Sequence, residues 1–131
     1  MIGLDTNVLV RYIMQDDPKQ AAKATKLIEG LTTDAPGFIT LVSVVELVWV
    51  LTSCYDLSRP QVAQALEVIL RSKQLVVDQA AHILRALRAF SAGSADFADC
   101  LIERIAESAG CTQTMTFDKA AAKTAGMTLI Q

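Results

Sequence analysis

Short apolar runs alternate with longer stretches of helical periodicity along the whole 131-residue chain. Residues 1–4 read as a brief buried strand, after which the polar Asp5-Thr6-Asn7 turns into a short helix reaching about residue 13. Asp17-Pro18 has the form of a helix start, a cap followed by a proline in the first turn. Ala21, Ala24, Leu27 and Ile28 then keep helical spacing as far as Gly30, where a left-handed stop is expected. A second strand is predicted at 38–40, and Ser43 with Glu46 has the spacing of a capping box that opens a helix to about residue 54. The spacing predicts another helix over 59–71, with Val62, Leu66, Ile69 and Leu70 on one side, and a third strand over 75–77. Asp78 is the expected cap of the next helix, whose inner stripe is Ile83, Leu84, Leu87 and Phe90. Beyond Gly93, a helix over 95–109 is expected to bury Leu101, Ile102 and Ile105; a strand at 114–116, a short helix capped by Asp118 and a last strand at 127–130 follow. Strands that alternate with helices in this way predict an α/β fold with a parallel sheet covered by helices.

A chain of this length is expected to form a single domain, 1–131, with a core large enough to need no staples. Its apolar fraction of 52% slightly exceeds the usual soluble range, yet no apolar run approaches the length of a membrane span. The expected setting is therefore soluble and cytoplasmic, with no membrane partner and no secretory leader. Cys54, Cys100 and Cys111 are odd in number and lack the paired spacing of zinc ligands, so buried, reduced thiols are expected. A net charge of −2 removes the overall basic footprint of a protein that holds nucleic acid by phosphate neutralisation alone. Lys19, Lys23 and Lys26 stand at helical spacing, the ordinary reading of which is a solvated helix face.

Acidic residues at the ends of apolar runs carry the candidate chemistry. Asp5 follows the first strand, Glu46 follows Val42-Ser43-Val44-Val45, Asp96 and Asp99 lie in Ala95-Asp96-Phe97-Ala98-Asp99, and Asp118 follows Met115-Thr116-Phe117. Each has an ordinary structural explanation, chiefly as a helix cap. Together they suggest a shared site, because carboxylates at the ends of buried segments are costly unless paired, hydrogen-bonded or bound to a cation. In a parallel sheet the carboxyl ends of strands converge on one crevice. All-oxygen donors suit magnesium or manganese, which keep several waters and can activate one of them against a phosphodiester. The only histidine, His82, has no serine or cysteine nucleophile arranged with it, and no glycine-rich phosphate loop is present.

These residues resemble the PIN-domain nucleases, and within them the VapC-type ribonuclease toxins of bacterial toxin–antitoxin modules. The resemblance runs over nearly the whole chain: Ile2-Gly3-Leu4-Asp5-Thr6-Asn7-Val8-Leu9, Ser43-Val44-Val45-Glu46-Leu47, Ala95-Asp96-Phe97-Ala98-Asp99-Cys100-Leu101-Ile102 and Thr114-Met115-Thr116-Phe117-Asp118-Lys119. It implies a three-layer α/β/α domain with a central, mainly parallel sheet of about four to five short strands. It also implies a magnesium- or manganese-dependent endoribonuclease that leaves a 5′-phosphate and a 3′-hydroxyl. The implied catalytic and metal-binding quartet is Asp5, Glu46, Asp99 and Asp118, with Asp96 an auxiliary ligand through water or only a cap. Thr6, Asn7 and Thr116 are implied to orient carboxylates or water. Cys100 departs from the alanine usual in the family, a small apolar change without catalytic consequence. The implied partners are an RNA substrate, a second copy of the chain in a homodimer and a small antitoxin protein, with DNA met only through that antitoxin. The apolar run Val48, Trp49, Val50, Leu51 and Tyr55 offers a surface for such contacts, and Trp49 is its expected anchor. Two other readings compete. One is a non-catalytic binding module whose acidic pocket receives a basic partner segment. The other is a phosphoacceptor receiver domain, against which the acid pair Asp16-Asp17 falls far downstream of the first strand.

Overall fold

Seven helices and five short strands form in the order that the hydrophobic pattern predicts, in a computed structural model describing residues 1–131. They are β1 (Ile2–Gly3), α1 (Thr6–Met14), α2 (Pro18–Glu29), β2 (Gly37–Ile39), α3 (Leu41–Ser53), α4 (Arg59–Arg71), β3 (Leu75–Val77), α5 (Ala80–Ala92), α6 (Phe97–Ser108), β4 (Met115–Thr116), α7 (Lys119–Thr124) and β5 (Thr128–Leu129). The chain divides into two compact units, Met1–Asp78 and Gln79–Gln131. No helix is long and apolar enough to cross a membrane.

In the first unit β1, β2 and β3 form a parallel ladder in that order, and a pair of helices makes each crossover between neighbouring strands. Ile2 lies opposite Gly37, and Gly37 opposite Leu75. Gly37 is needed there because of crowding: a Cβ would fall 2.8 Å from Leu31 Cδ1, 2.9 Å from Leu4 Cδ1 and 3.2 Å from Leu75 Cδ2. Two backbone bonds carry the pairing one residue past the strand ends, from Leu4 N–H to the Phe38 carbonyl and from Asp78 N–H to that of Ile39, each 2.9 Å. The first of these fixes the backbone immediately before Asp5. Leu9, Ile28, Ile39, Leu47, Leu51, Val62 and Leu66 are buried and supply the core of this unit.

In the second unit α5 and α6 pack along each other. Their buried residues are Ile83, Ala86, Leu87 and Phe90 on α5 and Phe97, Cys100 and Leu101 on α6. Phe90 and Phe97 meet edge to face, with centroids 5.8 Å apart and planes at 84°. At the solvent side His82 Nε2 lies 2.9 Å from Ser108 Oγ, and Arg85 pairs with Glu107 at 2.9 Å. β4 and β5 make a separate two-stranded parallel ladder, joined through α7.

Several local expectations are corrected. All five strands are parallel, but they form ladders of three and of two strands, each closed by strands adjacent in the sequence. Gly30 ends α2 in a right-handed conformation (φ −82°), because the C-terminal carbonyls are met without a left-handed turn. Thr40, not Ser43, caps α3: its Oγ1 accepts from Ser43 N–H at 3.1 Å, so the helix starts earlier and no capping box involves Glu46. Asp78 does not cap α5; its N–H is engaged with the ladder, and Gln79 takes the cap position at φ 54° with no side-chain bond. Leu27, Leu84 and Ile102 are exposed, each standing about 100° round its helix from the buried Ile28, Ile83 and Leu101. No cysteine is in a disulfide, but only Cys100 is buried; Cys54, at the C-terminal end of α3, and Cys111 are exposed.

Candidate functional site

The ends of β1 and α3 build the first half of the candidate site. The ladder turns the chain out at Leu4, and Asp5 takes the extended cap conformation at the head of α1, where its Oδ1 accepts from Thr6 N–H at 2.7 Å. Glu46 lies beyond the first turn of α3, so its carboxylate has no capping duty, and it enters none of the ion pairs. Asp5 and Glu46 line one cavity of about 490 Å³, together with Thr6, Asn7, Arg11, Cys54 and Tyr55. Both carboxylates are exposed to solvent. Thr6 is 5% exposed, and its Oγ1 is the one buried side-chain oxygen or nitrogen without a hydrogen-bond partner. A buried hydroxyl left in that state costs roughly 1–3 kcal/mol, so its place in the wall of an acidic cavity calls for a ligand.

A hydrogen-bonded cation also lines this cavity. Arg11 Nε donates to Gln20 Oε1 at 2.7 Å, and its Nη1 donates to Asp16 Oδ1 at 3.2 Å and to the Tyr55 hydroxyl at 3.1 Å. Tyr55 Oη in turn donates to Asp16 Oδ2 at 2.7 Å. The Tyr55 hydrogen bond, more than the neighbouring guanidinium, holds the Asp16 carboxyl below the usual range, and that same bond raises the Tyr55 phenol. Arg11 therefore gives its charge to Asp16 and does not neutralise Asp5 or Glu46.

Asp96, Asp99 and Asp118 belong to the second unit. Asp96 caps α6, its Oδ1 accepting from Asp99 N–H at 3.1 Å. Asp118 caps α7, accepting from Ala120 N–H at 2.8 Å, while its own N–H donates to Thr116 Oγ1 at 3.0 Å. Thr116 thus fixes the turn that carries Asp118. Asp99, on the first turn of α6, is the partly buried member of the set. Burial first, then the charges of Asp96 and Asp118, raises its carboxyl above the ordinary aspartate value.

The capping roles that the sequence offered for Asp5, Asp96 and Asp118 are thus all realised, each through one carboxylate oxygen. Glu46 and Asp99 have no such role. Within neither unit do three or more His, Cys, Asp and Glu side chains form an arrangement that holds a metal by itself. A magnesium or manganese ion asks for less than that from protein, since one or two direct carboxylates with waters is its usual complement. Asp5 and Glu46 supply two, the Thr6 hydroxyl is free to bond a water, and every donor except the exposed Cys54 thiol is hard. The donor set fits that class of cation.

Arg11 and Tyr55 were not expected at this cavity, nor Asp16 as the partner of both. Arg11 is legible in retrospect as the residue one helical turn beyond Asn7. Tyr55 is 44 residues from Arg11 and has no such signal. Of the apolar run on α3 and just beyond it, Val48 and Leu51 are core, Val50 and Tyr55 line the acidic cavity, and Trp49 is 61% exposed.

The family model for the PIN domain matches residues 2–127 and so spans both units. Members of that family are generally nucleases, and their α/β fold with parallel strands is the one found in this chain. No curated protein matches the sequence.

Proposed function

Because the chain belongs to the PIN domain family, we propose that it is a metal-dependent endoribonuclease, the toxin component of a type II toxin–antitoxin system. The observation that carries the nuclease reading is the cavity lined by Asp5, Glu46 and Thr6, whose hydroxyl is buried and unpartnered. The motif resemblance set out above supports the toxin role. Asp5 and Asp99 are assigned as the principal ligands of magnesium or manganese, and Glu46 and Asp118 complete the set, with Asp96 acting through water. When bound, the cation supplies a more acidic water and offsets charge on the phosphodiester. Glu46, whose carboxylate is spent on neither a cap nor an ion pair, is assigned to accept the proton of the attacking water. Thr6 and Asn7 orient water at the Asp5 side, and Thr116 steadies Asp118. The partners proposed are an RNA substrate, a small antitoxin protein and a second copy of the chain, with Trp49 as an interface anchor.

The test is cleavage of structured RNA by purified protein in magnesium, manganese or EDTA, with Asp5→Asn and Asp99→Asn beside the wild type. Asparagine is as good a cap as aspartate, so Asp5→Asn keeps the start of α1 and removes only the charge. We expect metal-dependent cleavage that either substitution lowers by more than the roughly 10–100-fold typical for loss of an outer partner of a metal site. Rates that respond neither to metal nor to these substitutions would favour the non-catalytic binding module.

A further inference from the structure

Another groove of the first unit lies between α1 and α2, encloses about 450 Å³ and is lined by Asn7, Val8, Arg11, Gln20, Lys23, Ala24 and Leu27. Asn7 and Arg11 also line the acidic cavity, so the two spaces adjoin at these side chains. The charge on α2 is unbalanced. Lys19, Lys23 and Lys26 fall within about 60° of one another round the helix, are exposed, and enter no ion pair; Glu29 is the only acid within the helix. Lys26 suits the negative end of the helix, but Lys19 in the first turn opposes the helix dipole. Helix stability therefore does not account for the row, and it stands out on a chain whose net charge is −2. Arg11 is held by its bonds to Gln20, Asp16 and Tyr55 through Nε and Nη1, which leaves Nη2 uncommitted on a guanidinium whose position is already set.

We propose that this groove carries the phosphodiester backbone of single-stranded RNA to the Asp5–Glu46 cavity, with Lys23 and Arg11 as its phosphate contacts. The inference rests on the nuclease reading for the identity of the strand. An acidic cavity repels a polyanion, and the unpaired Lys23 in the adjoining groove offsets that repulsion where the strand must enter. The apolar floor of Val8, Ala24 and the exposed Leu27 gives bases and riboses something to lie against.

The experiment is fluorescence anisotropy of a short, labelled, mixed-sequence single-stranded RNA in EDTA at several salt concentrations, with cleavage in magnesium and manganese measured in parallel. Lys23 is exposed, so Lys23→Ala and Lys23→Glu leave the packing intact, and Lys73→Ala, outside both cavities, is the control. On a slope of about 0.7 per phosphate contact, Lys23→Ala is expected to weaken binding about fivefold at 0.1 M salt and to lower the salt slope by about 0.7. Lys23→Glu should weaken it further, and Arg11→Lys, which loses the planar fork, should also bind less well. An affinity and salt slope unchanged in Lys23→Ala and Lys23→Glu, or no RNA binding by the wild type, would overturn the proposal. Lys23-dependent binding without metal-dependent cleavage would uphold the groove and sink the nuclease reading. Cleavage whose KM ignores Lys23 would do the reverse. If a polyglutamate peptide showed the Lys23 dependence and RNA did not, the groove would belong to an acidic protein segment and the inference would fall.

Discussion

Thr6→Val is expected to stabilise the metal-free protein and weaken its response to metal. Thr6 sits at the first position of α1, is 5% exposed and leaves its Oγ1 without a partner. Valine has the same branched shape and nearly the same helix propensity, so the substitution exchanges a stranded hydroxyl for a methyl group in an enclosed place. Removing an unsatisfied buried hydroxyl recovers roughly 1–3 kcal/mol. With an unfolding entropy of about 2.1 cal/mol/K per residue, a 131-residue chain gains about 4–11 °C in Tm from that amount. The assay is thermal unfolding followed by circular dichroism in EDTA and again in magnesium or manganese. Thr6→Ser, which keeps the hydroxyl and loses a buried methyl worth about 0.8 kcal/mol, should melt lower than wild type. If the hydroxyl serves a water on the cation, the Tm increment from metal should shrink in Thr6→Val, because a weaker complex stabilises less by mass action. A Thr6→Val protein that melts below wild type in EDTA would refute the reasoning, since the hydroxyl would then have been satisfied in the folded state. An undiminished metal increment would separate Thr6 from the cation.

Asp99→Asn should raise the Tm of the metal-free protein and abolish the increment from metal. Burial, Asp96 and Asp118 raise the Asp99 carboxyl in the folded state, so between its ordinary and its raised value the folded chain binds more protons than the unfolded one. Stability contributed at this position therefore falls as pH rises through that window. The advantage of asparagine should be full above the raised value and fade as the pH is lowered to the ordinary carboxylate range. A gap between the two melting curves that ignores pH would count against this account. Gly37→Ala should cost about 1–3 kcal/mol, because the new methyl would fall within 3.2 Å of Leu31, Leu4 and Leu75 at the centre of the ladder; chemical denaturation that shows no loss would mean those leucines give way freely. Tyr55→Phe removes the hydroxyl that bonds Asp16 and Arg11, and since the network is largely exposed its stability cost should stay below about 1.5 kcal/mol. Its larger effect should be on RNA affinity through a less fixed Arg11, and an affinity equal to wild type would show that Arg11 needs no such bracing.

Local physics made most of the elements readable from the sequence. Asp5, Asp17 and Asp118 cap the helices predicted for them, and the limits of α4 and β3 match the expected ranges, because caps, prolines and a 3.6-residue period act over a few neighbouring positions. The same locality explains the misplaced starts. Thr40 and Ser43 are both competent caps, and the ladder at Ile39 decides between them; Asp78 lost its cap because its backbone was drawn into that ladder. For Leu84 and Ile102 a hydrophobic stripe could not say which of two adjacent residues turns inward, since 100° of rotation is settled by what the helix packs on.

The acids show where that division lies in the site. The sequence by itself set their kind, their order and the local peptide bonds they accept, because those depend on residue type and on neighbours a few positions away. Only tertiary structure turned Glu46 from an expected capping partner into a free carboxylate sharing a cavity with Asp5, 41 residues earlier, and left the Thr6 hydroxyl buried without a partner. It alone brought Tyr55 to Arg11 and Asp16 and made Arg11 common to two grooves. The chain encodes a carboxylate or a hydroxyl one residue at a time, but charge coupling, desolvation and an unmet hydrogen bond belong to the space between residues, which exists once distant segments have packed.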